Sequence, residues 1–434
     1  MADPGRPTEL LSRALGAAED SPPGEAVEAV VRELRAWLGA ADVSFLMVDL
    51  SGRGLVRLAH PGAGPRHAAD RSDVADDEPT VLVPGESSPF DDALRTQQVQ
   101  VLPPGTPRLS GLAPGWLVLA PVTERGDVLG LLAVSTRDEP DEGALTQVRR
   151  TAHALAYVVV ANRRHTDRFE WTQRSESFTL PAEIQWRLLP ASLTCEAGTF
   201  TLSAWLEPAA EVGGDTFDYS VERDVLHLSM TDAMGHGVAS ALIATLCVGS
   251  LRNTRRSGAG LLEQLHAANT ALVHHAVSTG EGFATGLFGR VDLRSGVLSI
   301  VNAGHASPYL ARDGVVTPVD LPVDLPLGMF HDATYRATEV PLEPGDRLVL
   351  VTDGMLERRA AGIDLPVQIV ATRDLHPREA TRSLADRVLE QTGPDLDDDA
   401  TLLVLDWHGR RDGSPVVRDS VAGAEPDLAS DPVD

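Results

Sequence analysis

Residues 211–236 read EVGGDTFDYSVERDVLHLSMTDAMGH, and this stretch limits what the chain can become more than any other. Asp215 follows a Gly-Gly pair, and Asp232 ends the alternating run Val225 to Thr231, a pattern that predicts a strand with one buried face. Gly235 and Gly237 come directly after, where the missing Cβ lets backbone carbonyls approach a ligand closely. Two carboxylates at neighbouring strand ends can cap turns, or they can offer oxygen ligands to a hard cation such as magnesium or manganese. The device recurs. The run Arg347 to Thr352 ends in Asp353-Gly354, and Asp397-Asp398-Asp399 stand just before the apolar run Leu402 to Leu405. Gathered in one fold, these acids would repel one another, and a bound divalent cation would remove that cost.

A chain of 434 residues predicts two or three domains, and 43% hydrophobic residues is enough for sizeable cores. The formal net charge of −26 argues against a nucleic-acid backbone or an anionic membrane surface as the main partner. No apolar stretch reaches membrane-spanning length, and the opening MADPGRPTEL lacks a signal peptide's charged-then-apolar layout. Cys195 and Cys247 are too few for a disulfide framework and read as reduced thiols, so a cytoplasmic protein is expected.

Residues 1–23, rich in Pro, Gly and acids, are expected to be a flexible tail. A helix is predicted over 26–38, then strands over 42–50, 54–59, 80–83, 99–102, 116–122 and 128–135, with an exposed loop over 61–79. A closing helix over 143–166 carries Leu145, Val148, Ala152, Leu155, Val158 and Val159 on one side. With the segment GWLVLAPVTERGDVLGLLAVST as its best-matching piece, region 24–165 resembles a GAF domain, which implies an antiparallel sheet with helices and an unknown small-molecule or protein signal. No Cys or His arrangement here demands haem, a bilin or a metal. Residues 166–183 are expected to prolong the closing helix as a helical linker that could transmit a two-state rearrangement. The apolar side of 145–160 predicts a homodimer by parallel pairing.

From Ile184 the composition changes. Gln185 to Pro190, Val212-Gly213-Gly214-Asp215 with Asp218, Asp232 to Gly237, Asn302-Ala303-Gly304-His305, Thr352-Asp353-Gly354 and Asp398-Asp399-Ala400-Thr401 follow in order. This set resembles the metal-dependent protein phosphatase (PPM) family, in its bacterial SpoIIE/RsbU-like branch, over 184–408. The fold class implied for the chain is α+β: a GAF-like sheet, then a sandwich of antiparallel sheets flanked by helices. Helices are predicted over 238–253, 260–277 and 378–391, and residues 409–434 as a disordered acidic tail.

The resemblance implies two divalent cations, manganese or magnesium. Asp232 would bridge them, Asp215 would hold or orient a bound water, and the Ala233 carbonyl would reach one metal. Asp353 and Asp398 would complete the other, with Asp399 as the neighbouring alternative. The activated water would attack phosphoserine or phosphothreonine in line. In relatives of this branch the substrate is a phosphorylated STAS-domain anti-sigma-factor antagonist, and the same partner class is implied here. Met234 stands where many eukaryotic members have His, and no phosphate-clamping Arg precedes Asp215, the residues there being Glu207 to Glu211. His236 and His305 are expected to hold loops. The linker is expected to act on the helices after Asp232. Two rival readings are an inactive PPM-fold scaffold that binds a partner, and a nuclease, which the charge of −26 disfavours.

Overall fold

The computed structural model describes residues 6–410, except 51, 53, 60–80, 83–87, 108, 110, 174–178, 209–212, 281, 357–363 and 393–397. The chain begins with α1 (Arg6–Asp20), α2 (Ala26–Leu38), β1 (Asp42–Val48), β2 (Leu55–Ala59), β3 (Val81–Leu82), α3 (Pro89–Thr96), β4 (Gln100–Leu102), β5 (Trp116–Glu124), β6 (Asp127–Thr136) and α4 (Glu142–Asn162). The strands form one sheet in the order β3-β2-β1-β6-β5-β4. The pairs around β1 and β5 are antiparallel, and the β5–β6 hairpin turns at Arg125 and Gly126, both at positive φ (46° and 80°) as a type I′ turn requires. Helices α1, α2 and α4 bury their apolar stripes on one face of this sheet, and α3 covers the other.

Three expectations change here. Residues 6–20, expected within a flexible tail, form α1, whose Leu10, Ala14 and Ala18 are buried in the sheet-and-helix core while Arg13 pairs with Glu33 of α2 at 2.7 Å. The spacing of four that puts those side chains on one stripe is masked by the Pro, Gly and acidic residues around it. The closing helix does not run on into the linker. The chain turns extended at Thr166, and α5 (Arg168–Gln173) folds back so that Phe169 enters the same core. Arg168 secures the turn by pairing with Glu28 and bonding the Gly24 carbonyl. Finally, Leu145, Val148, Ala152, Leu155, Val158 and Val159 of α4 lie inside the domain's own core, so the stripe expected to pair two chains is already covered. The expected loop over 61–79 lies outside the described residues.

The second half comprises α6 (Leu180–Leu188), β7 (Thr194–Glu196), β8 (Phe200–Glu207), β9 (Asp215–Val221), β10 (Val225–Ala233), α7 (Val238–Arg256), α8 (Leu261–Thr279), β11 (Ala284–Asp292), β12 (Val297–Ala303), β13 (Tyr309–Arg312), β14 (Val315–Pro318), β15 (Val323–Asp324), β16 (Thr338–Pro341), β17 (Arg347–Val351), α9 (Leu365–Ala371), α10 (Pro377–Thr392) and β18 (Ala400–Trp407). One sheet runs β15-β12-β11-β10-β9 with β16 beside β12; the other runs β14-β13-β17-β18-β8-β7. Alternation in each strand sends Phe217, Leu228, Met230 and Leu287 from the first sheet against Leu202, Leu348, Leu403 and Leu405 from the second. The opposite faces carry α7 and α8 on the β10 sheet and α9 and α10 on the β18 sheet, giving four layers. Among the described residues no helix is long and apolar enough to cross a membrane.

The packing of α1 yields a direct test. Leu10→Ala should lower the unfolding free energy by about 2–3 kcal/mol in denaturant titrations, whereas a loose tail would leave it unchanged.

Candidate metal site

The β9–β10 ladder sets Asp215 directly opposite Asp232. Asp353 opens a single 3-10 turn just after β17, and Asp398 and Asp399 immediately precede β18, the partner of β17. Acids from the ends of four strands, two in each sheet, thus meet at one edge of the sandwich. Two glycines allow the approach. A Cβ on Gly214 would lie 2.6 Å from the Ala233 carbonyl oxygen, and one on Gly354 would lie 2.1 Å from the Asp399 carbonyl oxygen.

The acids differ in surroundings. Asp399 is 1% exposed, and its Oδ2 accepts hydrogen bonds from Gln185 Nε2 (2.6 Å), Gly214 N (3.1 Å) and Asp215 N (3.3 Å). Gln185 Nε2 also donates to the Asp215 carbonyl at 2.8 Å. Asp215 is buried, and its Oδ2 accepts from Thr401 Oγ1 at 2.6 Å. Asp232 and Asp398 are half-buried, and Asp353 is exposed. Asp398 Oδ1 accepts from the Asp399 backbone N–H at 2.8 Å.

Burial pushes the carboxyl of Asp215 well above the usual range, and the charges of Asp232 and Asp399 push it further. Asp232 rises to about 7, first through burial and then through Asp353, Asp398 and Asp399. Asp398 is raised by burial as well, with Asp353 and Asp399 adding to it. Carboxylates that resist ionisation because of one another form a site short of positive charge. In donor type and charge they fit a hard divalent cation. Among the described residues, however, no three of His, Cys, Asp or Glu stand close enough together to hold an ion as they are.

The structure sorts the remaining motif residues. Asp218, the second acid after the Gly-Gly pair, is turned away from the cluster and pairs with Arg252 (2.8 Å) and Arg255 (3.1 Å) of α7. His305 holds its loop as expected: its N–H donates to Asn302 Oδ1 (2.8 Å), Asn302 Nδ2 donates to its carbonyl (2.9 Å), and its Nδ1 lies 2.9 Å from Thr285 Oγ1. Burial lowers its pKa to about 4, so the ring is neutral. His236, expected to do the same, is exposed, and its side chain has no hydrogen-bond partner among the described residues. Gln185 stands in the sequence only as a motif member, yet it is the residue that ties α6 to the acids. Its signal is an uncharged polar residue on the buried side of a short helix.

The geometry can now be set beside known proteins. The model of the Stage II sporulation protein E (SpoIIE) family matches residues 222–408, and that of the GAF domain matches residues 22–159. Phosphoserine phosphatase RsbU of Bacillus subtilis (strain 168) is 23% identical over 232 residues, which cover 52% of this chain and 68% of that protein. Phosphoserine phosphatase RsbP of the same organism is 23% identical over 164 residues, 37% of this chain and 40% of that one. The solved structure of the RsbU and RsbW domains of a Mycobacterium tuberculosis protein shares 28% identity at a TM-score of 0.43, covering 49% of this chain and 61% of that one. The aligned part therefore spans between 40% and 68% of these relatives' lengths. Residues 22–159 therefore belong to the GAF domain family, and residues 222–408 to the SpoIIE family.

Proposed function

We propose that the chain is a metal-dependent protein phosphatase acting on phosphoserine or phosphothreonine. The observation that carries this is the cross-strand pair Asp215 and Asp232, joined at one edge of the sandwich by Asp353 and Asp398, with carboxyls raised by burial and by one another. In this reading Asp215, Asp232, the Ala233 carbonyl, Asp353 and Asp398 would together hold two divalent cations, manganese or magnesium. Asp399 takes a different part: with its Oδ2 engaged by three donors, it holds Gly214 and Asp215 in position. Bound there, the cations would supply a water of lowered pKa and neutralise charge on the phosphoryl oxygens. Asp215, fixed by Thr401, orients the incoming water. Met234 carries no titratable group, so the leaving oxygen takes its proton from solvent.

Substrate and control follow the same reading. No arginine precedes Asp215 to clamp a phosphate, so contact with the partner's surface selects the substrate, a phosphorylated STAS-domain anti-sigma-factor antagonist. RsbU and RsbP, to which the chain is similar, are named phosphoserine phosphatases. The GAF domain regulates the site through the linker, because α6 begins at Leu180 and carries Gln185 to Asp399. A homodimer would use the outer surface of α4 around the exposed Tyr157, since the apolar stripe is covered. A second reading is a PPM fold that binds its partner without turnover.

Phosphate release from a phosphoserine protein decides between them. It should cease with a chelator, return with manganese or magnesium, and all but vanish in Asp232→Asn with the fold retained; full activity in that variant would end the metal mechanism. A phosphotyrosine preference would overturn the substrate class. Gln185→Ala should cost about 2 kcal/mol of stability and weaken manganese binding about 10- to 100-fold, measured by denaturation and calorimetry.

A further inference from the structure

The GAF domain also touches the phosphatase domain through β7 and α10. β7 is an edge strand of its sheet, and an open edge invites a partner. The turn of the β5–β6 hairpin caps it. Glu196 N donates to the Arg125 carbonyl at 2.8 Å, and backbone groups of Thr194 and Leu193 bond the Asp127 carboxyl. Thr194 and Glu196 are two residues apart, so their N–H groups point from the same edge. Part of Asp127 stays at the surface, but its carboxyl is enclosed, and that desolvation pushes it up to about 6 despite Arg163 nearby. Gly126 suits the turn because its φ is 80°, in the left-handed region that side chains disfavour.

The first turns of α10 complete the surface. Arg378 donates to the Gly126 carbonyl (2.8 Å) and to the Arg95 carbonyl at the end of α3 (3.1 Å). Arg382 pairs with Asp91 of α3 at 3.0 Å, and Arg95 with Glu379 at 3.5 Å. α3 is therefore held between the apolar face of the GAF sheet, where Phe90, Ala93 and Leu94 are buried, and the phosphatase domain. α10 packs Ala380, Leu384, Ala385 and Val388 inward, over the sheet that holds β18. Leu384 and Val388 share one buried cluster with Ala400 and Leu402, at the start of β18 beside Asp398 and Asp399.

We infer that this contact, the β5–β6 turn and α3 against β7 and α10, is a second route by which the GAF domain controls the site, holding α10 so that Asp398 stays poised for a cation while Asp399 keeps its hold on Gly214 and Asp215. The inference rests on the metal reading above, but its structural link can be tested without metal. A shift of α3 over the GAF sheet moves α10 through Arg378 and Arg382, and α10 moves the strand mouth that carries the acids.

The test uses the full chain with Arg378→Ala combined with Arg382→Asp, read by amide hydrogen exchange and by manganese calorimetry. Exchange should quicken in β7, in α10 and at residues 398–402 together, and manganese affinity should fall by about tenfold. Adding Asp91→Arg, which offers Arg382→Asp an opposite charge, should return both readouts part of the way. Faster exchange confined to β7 and α10 with residues 398–402 and manganese affinity unchanged would overturn the inference, as would unaltered exchange in β7. If the unmodified chain binds no manganese, the metal reading fails, while joint or separate exchange at β7 and residues 398–402 still decides whether the link exists.

Discussion

Three hydrogen bonds converge on one oxygen of Asp399, and the donors come from parts of the chain far apart in sequence. Gln185 arrives on α6, Gly214 and Asp215 on the entry to β9, and Asp399 itself on the entry to β18. One buried carboxylate thereby joins the connector helix to both sheets at the edge where the other acids gather. Burying such a charge without partners would cost several kcal/mol, and charge-assisted bonds of this kind offset it. The same convergence explains why glycine occupies 214 and 354, where the two strand entries press together with no room for a side chain.

Around this anchor the fold holds carboxylates that repel one another. Asp215, Asp232 and Asp398 are all harder to ionise than free carboxylates, a departure from good electrostatics of the kind that folds tolerate at functional sites. Rigid ion pairs elsewhere keep the frame in place. Asp218 binds Arg252 and Arg255 and so fixes α7, the helix that leaves the metal loop. Arg347, 4% exposed, makes a bidentate pair with Asp406 and donates to the carbonyls of Thr372 and Leu375, which fastens the approach to α10 onto the β17–β18 ladder.

The two domains meet this frame at two places. α6 enters it beside Asp399, while β7 and α10 meet the β5–β6 turn and α3 of the GAF domain. Gln185 on α6 bonds Asp399, and α10 packs on β18, the strand that follows it.

The residue pattern alone determined the elements and the chemistry near them. Alternation announced β10 and put Asp232 at its end, the run before Asp353 announced β17, and the order of Gly-Asp and Asp-Gly pairs indicated an oxygen-donor site, because each of these signals is written within one strand and its turn. It also placed α2, α7, α8 and α10, whose stripes are local. What it left open needed partners distant in the chain. The spacing of Leu10, Ala14 and Ala18 has meaning only once α2 and α4 are there to receive it, and the stripe of α4 could face a second chain or its own sheet. Asp398 and Asp399 are neighbours that sequence cannot rank. Tertiary structure separates them, because three donors from α6 and β9 reach Asp399 and leave Asp398 turned toward Asp353 and the solvent.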